Sequence, residues 1–221
     1  MSFISTAAPG QATDEVAALY SRLQGDADYL PNYARVFCHR PGLMAHIGTT
    51  MRALKDPMEP RLWCLVNLAA ARASRSSYCS LAFAKRLILK HFSENELLTI
   101  LRGDENSAAS AKERVAMAFA ARVARDSSAI GKKDIEQLRA AGFDDTQVFD
   151  LAAAAAWRCF FARLPDALGA RPDRALGQLS EPLLQLLLVG RGLDTEPLGQ
   201  FLQQSSEESS HLLQAWEQAS A

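Results

Sequence analysis

The 221-residue chain carries 24 Lys and Arg against 25 Asp and Glu, which gives a net charge of −1 at pH 7, and 48% of its residues are hydrophobic. This composition is typical of a globular protein with one sizeable core. A sequence pI near 6.4 argues against nucleic acid or an anionic membrane surface as the main partner, because both select basic patches.

The N-terminus lacks the basic start and apolar run of a signal peptide, and no apolar run is long enough to span a membrane. The four cysteines, Cys38, Cys64, Cys79 and Cys159, are widely spaced within apolar patterns. Such spacing favours reduced thiols in a cytoplasmic protein over a disulfide framework. The four histidines are scattered, with no pair at helical i, i+4 spacing, so we expect no metal site and no cofactor.

Every long segment has helical periodicity and none alternates with a period of two, so the predicted fold class is all-α. Residues 1–12 are predicted to be a loose arm, and Thr13 is placed to cap the first helix. Pro41 begins a helix that runs through Leu54. After Pro57 and Pro60, the segment 61–74 is predicted to be helical up to a serine-rich break, Ser-Arg-Ser-Ser, at residues 74–77.

Cys79 follows this break and falls in the first turn of the next predicted helix. Free peptide N–H groups and the positive end of the helix dipole favour thiolate over thiol at such a position, and Arg72 and Arg75 add positive charge nearby. Arg72, Arg75 and Lys85 are alternatively solvated helix-end charges, which is the commoner role of such residues.

Further helices are predicted by their capping signals. The Ser-x-x-Glu boxes at residues 93–96 and 110–113 and the Asp-x-x-Gln box at 144–147 each precede a helical pattern. Residues 132–141 form another predicted helix, stopped by Gly142. Beyond Pro172, residues 182–188 and 198–216 are two candidate helices whose leucine face closes a groove, contacts a second subunit or covers the core.

Two segments carry a specific pattern: Tyr-Ala-Arg-Val-Phe-x-x-Arg-Pro-Gly-Leu at residues 33–43 and Phe-x-Arg-Leu-Pro-Asp-Ala-Leu-Gly at 161–169. Together with the cysteine region they resemble the alkylhydroperoxidase D-like (carboxymuconolactone decarboxylase-like) superfamily over roughly residues 30–170. The resemblance implies an alkylhydroperoxidase D-like helical bundle. It divides the chain into an N-terminal arm and first helix (1–30), a core (31–170) and a C-terminal helical extension (171–221).

Redox members of that superfamily carry a glutamate, a Cys-x-x-Cys pair and a histidine. The resemblance places the peroxidatic cysteine at Cys79, the resolving cysteine at Ser76, the glutamate at Cys64 and the histidine at Phe83. Only one of the four catalytic positions is therefore retained. Ser76 cannot form a disulfide and Phe83 cannot accept a proton.

Two interpretations of the thiols remain open at this point. Cys79 is either a reactive thiolate, helped by Ser76 and the first-turn N–H groups, or a small buried hydrophobe in an inherited position. Cys64 is either a packing residue or, if its Cα lies within roughly 7 Å of the Cys79 Cα, a replacement resolving thiol. Phe83, Tyr78 and Trp63 are candidates to line a substrate pocket, with core packing as the alternative.

The resemblance, taken with these residues, implies three candidate functions. The first is an alkylhydroperoxidase-like, antioxidant oxidoreductase that uses a cysteine thiol on a small hydroperoxide. The second is a cofactor-free pocket enzyme of the same fold, of decarboxylase or lyase type, or a protein that only binds an apolar ligand in this pocket. Phe83 favours this second function, because an apolar ring excludes water from the site. The third is a non-catalytic helical oligomer. The resemblance implies a homo-oligomer, a dimer, trimer or hexamer, in each case.

Overall fold

A computed structural model describes residues 2–25 and 29–195 of the chain. Within them the fold is all-α, as predicted, and contains no β-strand. The helices are α1 (Asp14–Gln24), α2 (Asn32–Val36), α3 (Pro41–Lys55), α4 (Pro60–Ala73), α5 (Ser77–Lys90), α6 (Glu94–Arg102), α7 (Ala111–Arg125), α8 (Lys132–Ala140), α9 (Asp145–Ala167) and α10 (Glu181–Leu187). The predicted helix at residues 198–216 lies outside the described residues.

The predicted capping boxes form the starts of three helices. In each, the cap side chain accepts from the third backbone N–H and the third side chain accepts from the cap N–H, at Ser93 and Glu96, Ser110 and Glu113, and Asp144 and Gln147. These reciprocal bonds satisfy donors that a helix start otherwise leaves unpaired. Thr13 precedes α1, but its side chain makes no capping hydrogen bond.

Helix α4 lies at the centre of the fold and packs against α5, α7 and α9. Eight of its 14 residues are buried, and they include the consecutive run Leu65 to Ala71. A helix that is apolar on most of its faces is buried by neighbours on several sides, which explains this central position. The alanines of the run also let the neighbouring helices approach closely.

A smaller cluster joins α1, α2 and α3 to the end of α9, with Phe37 and Ile47 at its centre and Phe161 packed against it. The N-terminal arm was predicted to be loose, but it docks beside this cluster. The backbone N–H of Phe3 donates to the Leu168 carbonyl at 2.7 Å, and the Arg191 guanidinium lies 4.7 Å from the centre of the Phe3 ring. A backbone hydrogen bond and a cation–π contact therefore hold the arm against the fold.

The described part of the C-terminal extension covers the core, the commonest of the three roles considered for its leucine face. Leu183 and Leu187 of α10 are fully buried in the main cluster, where α10 packs on α5 and α6. The chain then crosses the break between α4 and α5, where the Gly190 N–H donates to Ser77 Oγ at 2.8 Å. The extension is therefore in contact with the first turn of the Cys79 helix.

Replacing Gly190 by alanine is expected to lower the free energy of unfolding by about 1–3 kcal/mol, the usual cost of overpacking. A Cβ at this position would lie 2.0 Å from the Arg75 carbonyl oxygen, so the backbone has to shift. Urea unfolding measures the effect. Gly192→Ala is the matched control, because a Cβ there meets nothing within 4 Å. Equal stability of the two variants would contradict this close contact.

Candidate functional site

The α4–α5 break places Cys79 between three helices. Arg75 turns the chain with a positive φ of 59°, Ser76 precedes α5, and Cys79 is the third residue of that helix. Its side chain is 6% exposed and packs with Ala71 of α4 and Ala162 of α9. Small residues at both contacts let the three helices meet around the thiol.

A buried cation contacts this thiol. Arg158, in the middle of α9, is only 3% exposed, and its Nη1 lies 3.6 Å from Cys79 Sγ. Its Nε donates to Asn67 Oδ1 at 2.8 Å, and Asn67 in turn donates to the Trp63 carbonyl at 2.8 Å. Within the described residues no carboxylate forms an ion pair with Arg158. A buried charge normally has a paired counter-charge, so a guanidinium held by an amide and a thiol is unusual.

Aromatic rings surround the guanidinium. Its central carbon lies 4.6 Å from the centre of the Phe83 ring and 5.4 Å from that of Phe161. The position that the resemblance assigns to a proton-accepting histidine thus supplies a ring face for a cation. Phe83 is buried.

Tyr33 adds a further ring to this aromatic cluster. Its ring meets Phe161 edge to face at 5.7 Å. Burial raises the pKa of the Tyr33 hydroxyl, and the positive charge of Arg86 partly offsets this rise. The phenol therefore keeps its proton at neutral pH and can act as a hydrogen-bond donor.

Tyr78, the residue before Cys79, ties the extension to the start of α2. Its hydroxyl donates to Asp173, and the Asn32 backbone N–H donates to the other carboxylate oxygen at 2.9 Å. Burial raises the pKa of the Asp173 carboxyl, with the hydrogen bond from Tyr78 acting in the opposite direction. Burial likewise raises the pKa of Tyr78 well above its usual value. The geometry gives Tyr78 a structural contact.

The structure does not bring Cys64 next to Cys79. Cys79 packs on Ala71, whereas Cys64 lies seven residues earlier on the same helix, about 10 Å along its axis. Burial raises the pKa of the Cys64 thiol, and the positive charge of Arg86, in the second half of α5, partly offsets it. All four cysteines are free thiols.

Ser76 is fully buried. It lies near the Asp166 carboxyl, whose pKa is raised by burial and lowered in part by the Ser76 hydroxyl and by Arg191. The hydroxyl at the resolving position therefore faces a carboxyl. Cys159 Sγ lies 3.3 Å from Ser74 Oγ, at the other end of the break.

The remaining sequence candidates have structural contacts. Trp63 is buried in the main core cluster. Arg72 donates to the carbonyl of Leu186 at 3.1 Å, and Lys85 donates to that of Ala175 at 2.7 Å, so both bind the extension. Burial lowers the pKa of Arg72. Arg75 is the exposed residue of the three.

Sequence reasoning missed Arg158 and Asn67 as residues of this site. One signal was present, because Arg158 interrupts the apolar run of α9 as a single charge between Trp157 and Cys159. A cation inside an apolar helical stretch needs a partner, which directs attention to its face of the helix. Asn67 is likewise a single polar residue within the apolar run of α4, which is a weaker signal because asparagine carries no charge.

Among residues 2–25 and 29–195, no group of three or more His, Cys, Asp or Glu side chains is arranged to hold a metal ion. In the same residues, no helix has both the length and the apolar character needed to cross a membrane.

Solved structures share this fold. A peroxidase-related protein from Ralstonia eutropha with an alkylhydroperoxidase D core superposes with a TM-score of 0.67 at 20% identity, over 86% of this chain and 98% of that one. A peroxidase-related protein from Silicibacter sp. gives a TM-score of 0.64 at 19% identity, over 78% and 91% of the two chains. The fold expected from the sequence resemblance is thereby confirmed.

The debrominase Bmp8 in its apo form also matches, with a TM-score of 0.66 at 17% identity over 82% of this chain and 96% of that one. A cysteine-to-alanine variant of Bmp8 in complex with 2,3,4-tribromopyrrole gives 0.63 at 16% identity, over 83% and 95%. No protein-family model and no curated protein sequence matches the chain. At these identities the structural likeness establishes the fold, and function has to be argued from the site.

Proposed function

We propose that this chain, which has the alkylhydroperoxidase D-like fold, is a thiol-dependent oxidoreductase that reduces a small hydroperoxide with Cys79. The observation that carries the proposal is the 3.6 Å contact between Cys79 Sγ and the buried Arg158 guanidinium. A thiolate at this position would supply the missing counter-charge of Arg158. Burying the pair together is more favourable than burying the cation alone.

Arg158 takes over a task that a base relay performs in the redox superfamily. Phe83, at the position that the resemblance assigns to the histidine, accepts no proton. A fixed positive charge stabilises the thiolate without accepting a proton, and the Cys79 proton passes to solvent. Asn67 and the Phe83 ring hold the guanidinium at the thiol.

The first chemical step oxidises the thiolate. Cys79 sulfur attacks the outer oxygen of the hydroperoxide, an S–O bond forms and the O–O bond breaks, leaving a sulfenic acid and an alcohol. The departing alkoxide needs a proton. Tyr33 packs on Phe161, whose ring lies at the Arg158 guanidinium, and keeps its phenolic proton, so we assign it as the donor.

The second step needs a thiol from outside the chain. Ser76 is no resolving cysteine and Cys64 lies about 10 Å from the Cys79 contact along α4. A small external thiol displaces the sulfenic acid oxygen as water and forms a mixed disulfide with Cys79. A second such thiol then releases Cys79, so one hydroperoxide and two thiols give one alcohol, one water and one disulfide.

Hydroperoxide consumption in the presence of dithiothreitol tests the proposal. Cys79→Ser is expected to abolish turnover, and a sulfenic acid trap is expected to add to Cys79 in the wild-type protein. Cys64→Ser and Cys159→Ser are the matched controls and should keep most of the activity. The assignment of this thiol would be refuted if Cys79→Ser still consumed hydroperoxide, or if the wild-type protein consumed none.

The second candidate is a cofactor-free pocket of decarboxylase or lyase type, or one that binds an apolar ligand. The rings of Phe83 and Phe161 at Arg158, with Tyr33 packed on Phe161, favour it, because aromatic faces beside a cation suit a flat, electron-rich ligand. The fold match to a debrominase complexed with a halogenated pyrrole points in the same direction. Stoichiometric binding of 2,3,4-tribromopyrrole that persists in Cys79→Ser, without hydroperoxide turnover, would favour this candidate over the first.

A further inference from the structure

Three arginines line a groove at the α4–α5 break. The groove has a volume of about 420 Å³. Arg75 comes from the break, Arg163 and Asp166 come from the end of α9, and Arg191 comes from the segment after α10. Among the described lining residues, three guanidinium groups therefore face a single carboxyl. The groove concentrates positive charge on a chain whose net charge is −1.

The charges of these arginines are not balanced by ion pairs. In the described part of the chain, no carboxylate forms a salt bridge with Arg75 or Arg163, and both residues are exposed. Arg191 donates from Nε at 3.1 Å and from Nη2 at 2.8 Å to the backbone carbonyl of Asp166. A carbonyl is neutral, so this contact orients the Arg191 guanidinium without cancelling its charge. The groove therefore offers guanidinium donors to an anion from outside the chain.

The groove lies about one helical turn from Cys79. Cys79 packs on Ala162 of α9, and Asp166 follows Ala162 by four residues, which is about 6 Å along the helix. On α5, Ser76 precedes Cys79 by three residues and lies near Asp166. The thiol and the groove thus occupy successive turns of the same two helices. A short ligand held in the groove is within reach of the thiol.

We propose that this groove binds the carboxylate of the thiol that regenerates Cys79, so that the reductant is a small thiol acid. The inference rests on the proposed function, in which the resolving thiol comes from outside the chain. Guanidinium groups bind carboxylates through paired hydrogen bonds, and they do so in preference to neutral groups of the same size. A thiol acid whose sulfur is a few carbon atoms from its carboxylate matches the single turn between the groove and Cys79.

The carboxylate positions the thiol and takes no part in the bond changes. The sulfur of the bound thiol attacks the Cys79 sulfenic acid, so that an S–S bond forms and the S–O bond breaks. The oxygen leaves as water, with its own hydrogen and the proton of the attacking thiol. A second thiol acid then attacks the mixed disulfide, which gives the disulfide of the thiol acid and returns Cys79 to the thiolate.

Two thiols of similar size test the charge preference. Mercaptosuccinate carries two carboxylates and thioglycerol carries none, and kcat/KM is measured for each at saturating hydroperoxide. Relative to thioglycerol, the kcat/KM of mercaptosuccinate should fall about threefold in Arg163→Gln and about tenfold when Arg75→Gln is added. Each variant is compared with the wild type on the same pair of thiols, so differences in their intrinsic reactivity cancel. Arg125→Gln is the matched control, because it removes an exposed arginine from the end of α7, outside the groove.

Binding to Cys79→Ser separates the groove from the chemistry, because this variant cannot react with the thiol. Mercaptosuccinate should bind it saturably in an NMR titration, less tightly when Arg163→Gln is added and less tightly in about 1 M salt, which screens exposed charges. Binding to Cys79→Ser, with no hydroperoxide turnover by the wild type, would refute the proposed function and overturn the reductant while the groove remained a carboxylate site. Turnover with dithiothreitol, with the same ratio of the two thiols in every variant, would keep the proposed function and overturn the groove.

A carboxylate on the hydroperoxide is the competing source of the same contact. Linoleic acid hydroperoxide and its methyl ester differ in this group, and thioglycerol serves as the reductant for both. The acid and the ester should respond equally to Arg163→Gln if the groove binds the thiol. A loss confined to the acid, with the ratio of the two thiols unchanged, would assign the groove to the hydroperoxide and overturn the proposal.

Discussion

Arg158→Met is expected to slow the alkylation of Cys79 by iodoacetamide at pH 6 by about tenfold or more. The reason is that a positive charge in contact with a thiol favours the thiolate, the reacting form, and methionine removes this charge while filling similar space. The difference should narrow above pH 9, where thiols ionise without help. The measurement is the alkylation rate at both pH values, with mass spectrometry to locate the modified cysteine.

Two companion variants separate charge from packing. Arg158→Lys keeps a cation near Cys79 but cannot contact Asn67 and the thiol together, so an intermediate rate at pH 6 is expected. Asn67→Asp places a carboxylate at the Arg158 Nε, gives the guanidinium an internal counter-charge and should slow alkylation at the same pH. A purely structural role of Arg158 would change the stability of these variants and leave the ratio of the rates at pH 6 and pH 9 untouched.

This result also decides between the two interpretations of Cys79 that the sequence leaves open. If Cys79 is a buried hydrophobe, iodoacetamide should alkylate it slowly in the wild-type protein, and substitution of Arg158 should change this rate little. A thiolate reacts quickly only while its counter-charge is present. A side-chain exposure of 6% is compatible with both interpretations of Cys79, so burial alone does not distinguish a thiolate from a packing residue.

The helices were predictable because their signals are local. A capping box spans four residues and apolar periodicity repeats within two turns, so both are visible without the rest of the fold. The boxes beginning at Ser93, Ser110 and Asp144 each precede a helix of the structure. The N-terminal arm escaped prediction, because its docking depends on Leu168 and Arg191, more than 150 residues away.

The site was predictable only in part. Cys79 and its place in a first helical turn follow from the serine-rich break, but the partner of the thiol does not. Arg158 is 79 residues from Cys79 and 91 from Asn67 in sequence, and only the packing of α9 on α4 and α5 brings the three together. A contact of this kind has no short-range pattern.

The relation between Cys64 and Cys79 follows from the geometry of the helix pair. When two helices join at a short break, residues equally distant from it lie side by side. Counting from the break near residue 75, Cys79 meets Ala71, whereas Cys64 meets the region of Arg86. Cys64, which stands at the glutamate position, therefore lies about two helical turns from Ala71, the residue that Cys79 contacts. This distance is too long for a disulfide bond between Cys64 and Cys79.

Asp173→Ala is expected to lower the free energy of unfolding by about 3 kcal/mol. Asp173 is 6% exposed and accepts from two donors, the Tyr78 hydroxyl and the Asn32 backbone N–H. Removing the carboxylate leaves both buried donors unpaired, and each unpaired group costs about 1–3 kcal/mol. Urea unfolding at pH 7 gives the difference. Asp194→Ala is the comparison, because Asp194 accepts from the side chain of the same residue, Asn32, at 3.0 Å but is only half-buried, and a smaller loss is expected.

The contribution of the Asp173 carboxyl to the free energy of unfolding depends on pH, and the sign of this dependence follows from its raised pKa. Burial raises the pKa of Asp173 above its value in the unfolded chain, near 4, so the folded protein holds this proton more tightly. The contribution of Asp173 to the free energy of unfolding therefore decreases as pH rises from about 4 through the raised pKa. Asp173→Asn cannot titrate at this position. The stability of the wild type relative to Asp173→Asn should accordingly fall between about pH 4 and neutral pH.

The two Asp173 experiments together describe how the extension is held beside the Cys79 helix. Tyr78 precedes Cys79 directly, so the loss of the Asp173 contact is expected to increase hydrogen exchange in the first turn of α5. Tyr78→Phe should reproduce part of this effect, because it leaves one carboxylate oxygen without a donor. If Asp173→Ala changes the free energy of unfolding by less than about 0.5 kcal/mol and leaves exchange at Cys79 unaltered, the extension is held by α10 and Gly190 instead.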